Sequence, residues 1–236
     1  MLADYRSRWL LPVIMFFMAL QLTACGDKDK EQRQAFTAFL QSIQPQEERQ
    51  LPVLTEQQKQ SFGHYVQDYA VLTTFNRQLQ QVVAGSLKPM LEQVSHIRVP
   101  QDYISQRNNL RQLIGALNLL GQQSLNAKTQ ADNARQALKQ PEDLKLVYDK
   151  LYNRVVVKPA TAMISIVPDS VSFIQSLIKV GDYLQSQGNQ VVFNDSNVQF
   201  HTQQQVDQYN GMVSDLATQQ QNLVNALKGQ HLIAGH

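Results

Sequence analysis

A single cysteine in 236 residues leaves nothing for a disulfide to join, so a stapled scaffold is excluded. Glycine (10) and proline (8) are also sparse, which leaves long segments without a backbone breaker. Neither sign of charge dominates: 21 Lys and Arg stand against 19 Asp and Glu, a formal +2. That balance supplies no basic field of the kind a nucleic-acid binder carries, so nucleic acid is not an expected partner. The longest apolar run, Trp9 to Leu20, is interrupted by Pro12 and ended by Gln21. It falls short of the about 20 apolar residues that a membrane-spanning helix needs.

What the chain has in quantity is glutamine, 36 residues in all. Glutamine forms helix well and carries no charge, which suits the solvent face of long helices. Apolar residues recur at helical spacing throughout, so the chain is not a disordered low-complexity segment.

The lone cysteine stands at a border, in ALQLTACGDKDKEQ (19 to 32). Upstream, Arg6 and Arg8 form a positive region ahead of the apolar run, as in an export signal. Leu22, Thr23, Ala24 and Cys25 match a lipobox, whose cysteine thiol takes a diacylglyceryl group before the signal is cut off ahead of it. Residues 1–24 are thus expected as a lipoprotein signal peptide, 25–34 as the lipidated cysteine with a polar tether, and 35–236 as a single helical domain. Removing the signal takes two of the cations and one of the anions and leaves a formal charge of +1. Two or three acyl chains hold a protein on a membrane without a basic patch, so the domain itself can be soluble. The expected location is a membrane lipoprotein facing the periplasm. Gly26, rather than aspartate, follows Cys25, which favours the outer membrane over the inner, although Asp27 comes next.

Along the mature chain the periodicity predicts a mainly α fold, an elongated bundle of about five to six helices. Ala35, Phe36, Phe39, Leu40 and Ile43 share one face, closed by Pro45. Thr55 with Gln58 forms a capping box for a stripe through Phe62, Val66, Tyr69, Leu72, Leu79 and Val82, which Gly85 and Pro89 are expected to kink or break. From Pro100 a pattern runs to about Lys139, about 58 Å if unbroken; Ala127, Ala131 and Ala134 in its second half form a seam for close packing. Pro141 opens another helix, with Glu142 and Asp143 complementing its dipole. Pro159 and Pro168 are expected to break the chain around a short piece holding Met163 and Ile166. A further helix ends at Gly188 as a C-cap. Thr202 with Gln205 caps the last helix, which runs to Gly229.

Residues 190–200, QVVFNDSNVQF, follow a different period. Val191 and Phe193 alternate before a turn-forming run, and Val198 and Phe200 alternate after it. Pairing Phe193 with Val198 and Val191 with Phe200 puts all four on one face of a small β-hairpin. That face either packs on the bundle or docks a partner, and packing is favoured because an isolated hairpin is marginal in water.

Chemistry-bearing patterns are scarce. The histidines, His64, His96, His201, His231 and His236, make no metal-ligand spacing with Cys or carboxylates, so no metal and no cofactor is expected. His64 and Asp68 stand at i and i+4, a boundary ion pair on this reading. Asp102 with Tyr103 and Asp182 with Tyr183 are explained by helix caps and interfacial tyrosines. No catalytic residue is nominated, and the chain is read as a non-enzyme.

The stretches IRVPQDY (97 to 103), ALKQPEDLK (137 to 145), VGDY (180 to 183), and QVVF with VQF in the hairpin resemble those of the YiaF-like family of enterobacterial lipoproteins of unknown function. The resemblance spans nearly the whole mature chain. It implies lipidation at Cys25 and a single domain, and it implies no catalytic residues. The expected function is therefore a lipid-anchored helical interaction or structural module of the cell envelope, with an envelope protein as partner and no oligomeric state assigned. The alternative is an envelope hydrolase or small-ligand-binding protein whose site is built from distant polar residues.

Overall fold

The computed structural model describes residues 27–46, 50–194 and 197–229. Within them the helices run as five rods. The first, α1, covers residues 27–42. The second joins α2 (Glu56–Phe62), a 3-10 turn, α3 (Val66–Val82), a π turn (Val83–Leu87) and α4 (Lys88–Ser95). The third joins α5 (Pro100–Ser105) to α6 (Arg107–Gln136), and the fourth joins α7 (Glu142–Tyr152), a π turn (Asn153–Val157) and α8 (Lys158–Gln187). A hairpin of β1 (Val191–Asn194) and β2 (Asn197–Phe200) leads to α9 (Gln203–Gly229). This is the mainly α bundle with one small hairpin that the periodicity predicts.

Local chemistry sets the ends. Thr55 Oγ1 accepts from Gln58 N at 3.2 Å while Thr55 N donates to Gln58 Oε1 at 2.9 Å. The same reciprocal box opens α9, with Thr202 and Gln205 at 3.3 and 3.0 Å. Each box satisfies two donors that a helix start leaves unpaired. At α5, Asp102 Oδ2 accepts from the backbone of Arg98 at 2.8 Å and Val99 at 2.9 Å, the capping role expected of it. Gly188 ends α8 at φ +53°, a conformation that costs a residue with a Cβ and not glycine.

The prolines behave differently from expectation. Pro89 and Pro159 each follow a lysine at the exit of a π turn, and neither breaks its rod. A proline ring crowds the carbonyl four residues back and offers no N–H. In both rods the preceding turn is widened to an i→i+5 bond, Lys88 N to Val83 O and Lys158 N to Asn153 O. Pro168 lies inside α8, which continues through it, so Met163 and Ile166 belong to one long helix rather than a separate piece. An interior proline costs about 3 kcal/mol. Burying each of Met163, Ile166, Phe173, Ile174 and Leu177, all at most 5% exposed, returns roughly 1.5 to 3 kcal/mol, so continuity wins. The third rod bends at Gln106, but Gln106 N still bonds Asp102 O and Leu110 N bonds Gln106 O, both at 2.9 Å. At 30 residues α6 is about 45 Å long, shorter than the unbroken helix expected from Pro100.

The core forms two clusters that meet at Leu79. One gathers α1, α2, the first part of α3, the second half of α6 and α7; Ala127 and Ala131 are 5% exposed there and let α3 lie close on α6. The other gathers α4, the first half of α6, α8, the hairpin and α9. The α6 to α8 seam is the most extensive helix pairing.

Residues 27–34, expected as part of a tether, are helical. Phe36 and Leu40 on the same helix are 0% and 1% exposed and Ile43, just past its end, is 4% exposed, and Phe36 meets Phe62 and Tyr65 at ring distances of 5.4 and 5.8 Å. Arg33 reaches Asp143 of α7 at 3.4 Å, and Tyr65 donates to Asp29 at 3.2 Å. The charged residues that looked like linker composition form the solvent edge of a docked helix.

Candidate functional site

Cys25 and the other lipobox residues, Leu22, Thr23 and Ala24, lie outside the described residues, as do the hairpin turn residues Asp195 and Ser196. The hairpin strands pair in the predicted register, Val191 with Phe200 and Phe193 with Val198. Val191 is 8% exposed and belongs to the core, while Phe193, Val198 and Phe200 are partly buried against it. Phe200 lies between Tyr183 of α8 and Tyr209 of α9, at ring distances of 6.0 and 5.3 Å. Tyr183 also donates to Gln205 O at 2.9 Å, so the hairpin is clamped between two helix ends. Its predicted apolar face packs inward and is not a free docking patch.

His64 and Asp68 do not form the expected pair. His64 sits in the 3-10 turn, where the α-helical i, i+4 alignment fails, and its nearest carboxylate is Asp29 at 3.8 Å. Asp68 is buried, accepts from Gln140 Nε2 at 2.6 Å, and its backbone carbonyl accepts from Tyr148 at 2.9 Å. Burial pushes the Asp68 carboxyl up, opposed by the Gln140 hydrogen bond and the His64 charge. Asp182 is bound by Arg107 at 2.8 Å and Arg111 at 3.4 Å.

Beside Asp68 the polar groups of α6 and α7 form a network. Tyr152 donates to Asp132 Oδ1 at 2.6 Å, and Lys128 holds Asp132 Oδ2 at 2.6 Å. Arg135 binds Asp149 at 2.7 Å and lies 4.8 Å over the Tyr152 ring. Burial alone would raise the Asp132 carboxyl, but the hydrogen bonds from Lys128 and Tyr152 and the charges of Lys128 and Arg135 bring it below its usual value. Burial and neighbouring charge raise Tyr148 and Tyr152, and push Tyr65 up to about 12. Held protonated, these phenols donate at every physiological pH. The network locks α3, α6 and α7 together, and its carboxylates spend their lone pairs on donors from the bundle.

A cleft of about 530 Å³ opens between α1 and the π turn that joins α7 to α8. Its walls are Leu40 and Gln41 of α1 together with Val147, Lys150, Leu151, Asn153, Arg154 and Lys158. Lys150, Arg154 and Lys158 follow at i, i+4 and i+8. No sequence pattern singled these out; the four-residue cation spacing beside a Lys-Pro pair was the available signal. Among the described residues, no three His, Cys, Asp or Glu side chains converge as a metal site. The rod from Glu142 to Gln190 is long and apolar enough to cross a membrane by composition, yet Leu144, Tyr148, Val156, Met163 and Ile174 are all 0% exposed within the bundle.

The chain is 43% identical over 215 residues to the uncharacterized protein YiaF of Escherichia coli strain K12, covering 91% of each chain. The same identity and coverage hold for the uncharacterized protein YiaF of Shigella flexneri. No solved structure matches it. A family model described as a protein of unknown function, DUF3053, matches residues 13–231, and the chain belongs to that family.

Proposed function

We propose that the protein is a lipid-anchored, periplasm-facing module of the cell envelope that acts by holding a partner protein or spacing the membrane from the wall, and not by catalysis. The observation that carries this reading is helix α1. Its described part begins two residues past Cys25, and Phe36 and Leu40, with Ile43 just past its end, fix it in the core. Acyl chains on Cys25 would therefore hold the bundle close to the bilayer with little slack, which serves positioning better than reach. Two or three chains give a stable anchor where one gives only a marginal one. Gly26 after the cysteine supports the outer membrane.

Metabolic labelling with a clickable fatty acid tests the anchor. Cys25→Ala should take no label and stay unprocessed, because the sequence has no other thiol. A variant that still labels would sink the anchoring claim. Crosslinking in living cells, followed by identification of the captured envelope protein, tests the holding role.

A further inference from the structure

Helix α1 runs parallel to the rod formed by α7, the second π turn and α8, and it joins that rod at its first residues. Arg33 pairs with Asp143 at 3.4 Å, and further along Leu40 and Gln41 share a cleft with Val147, Leu151 and Arg154. These contacts rise in step along both helices, so the start of α1 lies level with the start of α7. The other end of the rod is far away. From Glu142 to Gln187 the helix is continuous through its π turn, about 69 Å at 1.5 Å per residue. Helix α6 returns along it: Arg135 binds Asp149 at 2.7 Å near one end, Gly121 faces Val167 midway, and Arg107 binds Asp182 at 2.8 Å near the other. The hairpin and the first turn of α9 sit at that second end, where Tyr183 donates to Gln205 O at 2.9 Å. The bundle is a long body whose first helix begins at one end and whose hairpin crowns the other.

We propose that the protein stands end-on on its membrane, with the start of α1 and the loop at 137–141 against the lipid headgroups and the hairpin end held about 70 Å further out. This rests on the lipidation of Cys25 proposed above, and it adds which surface meets the bilayer and which way the domain points. Cys25 and Gly26 are all that separates the acyl chains from Asp27, where the helix has begun, and two residues span at most about 7 Å. The near end therefore cannot leave the headgroups while the acyl chains stay inserted. Lying flat would require a side of the bundle with its own affinity for lipid, either an apolar face or a basic cluster. The exposed large apolar side chains, among them Leu91, Leu125 and Leu146, are scattered over α4, α6 and α7. The row Lys150, Arg154 and Lys158 is shorter than the about four to eight cations that draw a segment to an anionic surface. With α1 fixed in the core, the distance to the far end is set by the rod and not by a tether.

Energy transfer to a headgroup-labelled lipid tests this on the protein isolated from membranes with its acyl chains and placed in vesicles of phosphatidylethanolamine and phosphatidylglycerol. Once Cys25 is acylated, an introduced cysteine is the only free thiol. Lys139→Cys, Leu125→Cys and Gln199→Cys, all at exposed positions, then carry one dye each at the near end, the middle and the far end. With a dye pair whose range is shorter than the rod, transfer should be highest from position 139, at least twofold lower from 125 and at background from 199. Circular dichroism confirms that each variant keeps the bundle. Equal transfer from all three positions, background from all three, or the highest transfer from 199 overturns the proposal. Flotation of the same samples separates that failure from failure of the anchor. Protein that floats with the vesicles but lacks the gradient refutes the orientation alone, whereas protein that does not float and whose mass lacks acyl chains refutes the anchor and the orientation with it.

Discussion

Replacing Gly181 by alanine tests how closely α5 lies on α8. A Cβ at Gly181 would run into the carbonyl group of Tyr103, with the carbonyl carbon at 2.8 Å and Arg107 Cγ at 3.1 Å. Main chain cannot swing aside as the end of a side chain can, so α5 must lift from α8 and strain the Arg107 to Asp182 ion pair beside it, now 2.8 Å. Alanine in a helix interior gains about 1 kcal/mol over glycine. Forcing an extra methyl group into filled space costs about 1 to 3 kcal/mol, and occupied backbone puts this site at the upper end. The expected net loss is about 1 to 2 kcal/mol. Gly115 of α6 is the control, because a Cβ there meets nothing within 4 Å, and Gly115→Ala should keep most of the propensity gain. For a chain of this size 1 kcal/mol moves Tm by about 2 to 4 °C. Calorimetry should therefore find Gly181→Ala melting about 2 to 8 °C below the parent, and Gly115→Ala at or above it. If Gly181→Ala melts with Gly115→Ala, the close approach of α5 to α8 is refuted.

Asp68→Asn removes a buried charge and keeps an oxygen for Gln140. Because burial raises the folded carboxyl above its unfolded value, the folded state binds the extra proton between the two, and stability falls as pH rises through that window. The variant should be more stable than the parent at pH 7, with the gap closing below about pH 4; a constant gap in denaturant titrations would contradict this. Asp132 has the opposite sign: its folded carboxyl is lowered, so its contribution is present above the unfolded value and lost as pH falls through the folded one. Asp132→Asn should cost about 1 to 2 kcal/mol at pH 7 and nothing in strong acid. Phe200→Ala loses two ring contacts and a partly buried face, and should cost about 2 kcal/mol by urea unfolding; an unchanged midpoint would free the hairpin for a partner. A chain beginning at residue 27 should be soluble and give a helix-dominated circular dichroism spectrum, and a strand-dominated one would be incompatible with the bundle.

The sequence by itself determined what depends on local chemistry and on periodicity. Thr55 with Gln58 and Thr202 with Gln205 cap their helices because three-residue spacing suffices for a reciprocal bond. Gly188 ends α8 because only glycine takes that backbone angle without cost. The pairing of Val191 with Phe200 followed from alternation around a turn, and the Ala127 and Ala131 seam from small residues at helical spacing. Tertiary structure decided the rest. Whether Pro168 breaks a helix depended on how much apolar surface the two sides could bury together, which no local pattern records. Residues 27–34 read as tether because their composition is polar, and they are helical because Phe36 and Leu40, further along, dock the whole of α1. His64 and Asp68 shared a spacing but not a turn geometry, and Asp68 found its partner in Gln140, 72 residues away. The cleft joins α1 to the α7 to α8 junction, segments about 110 residues apart, so its cations became neighbours of Gln41 only when the bundle closed.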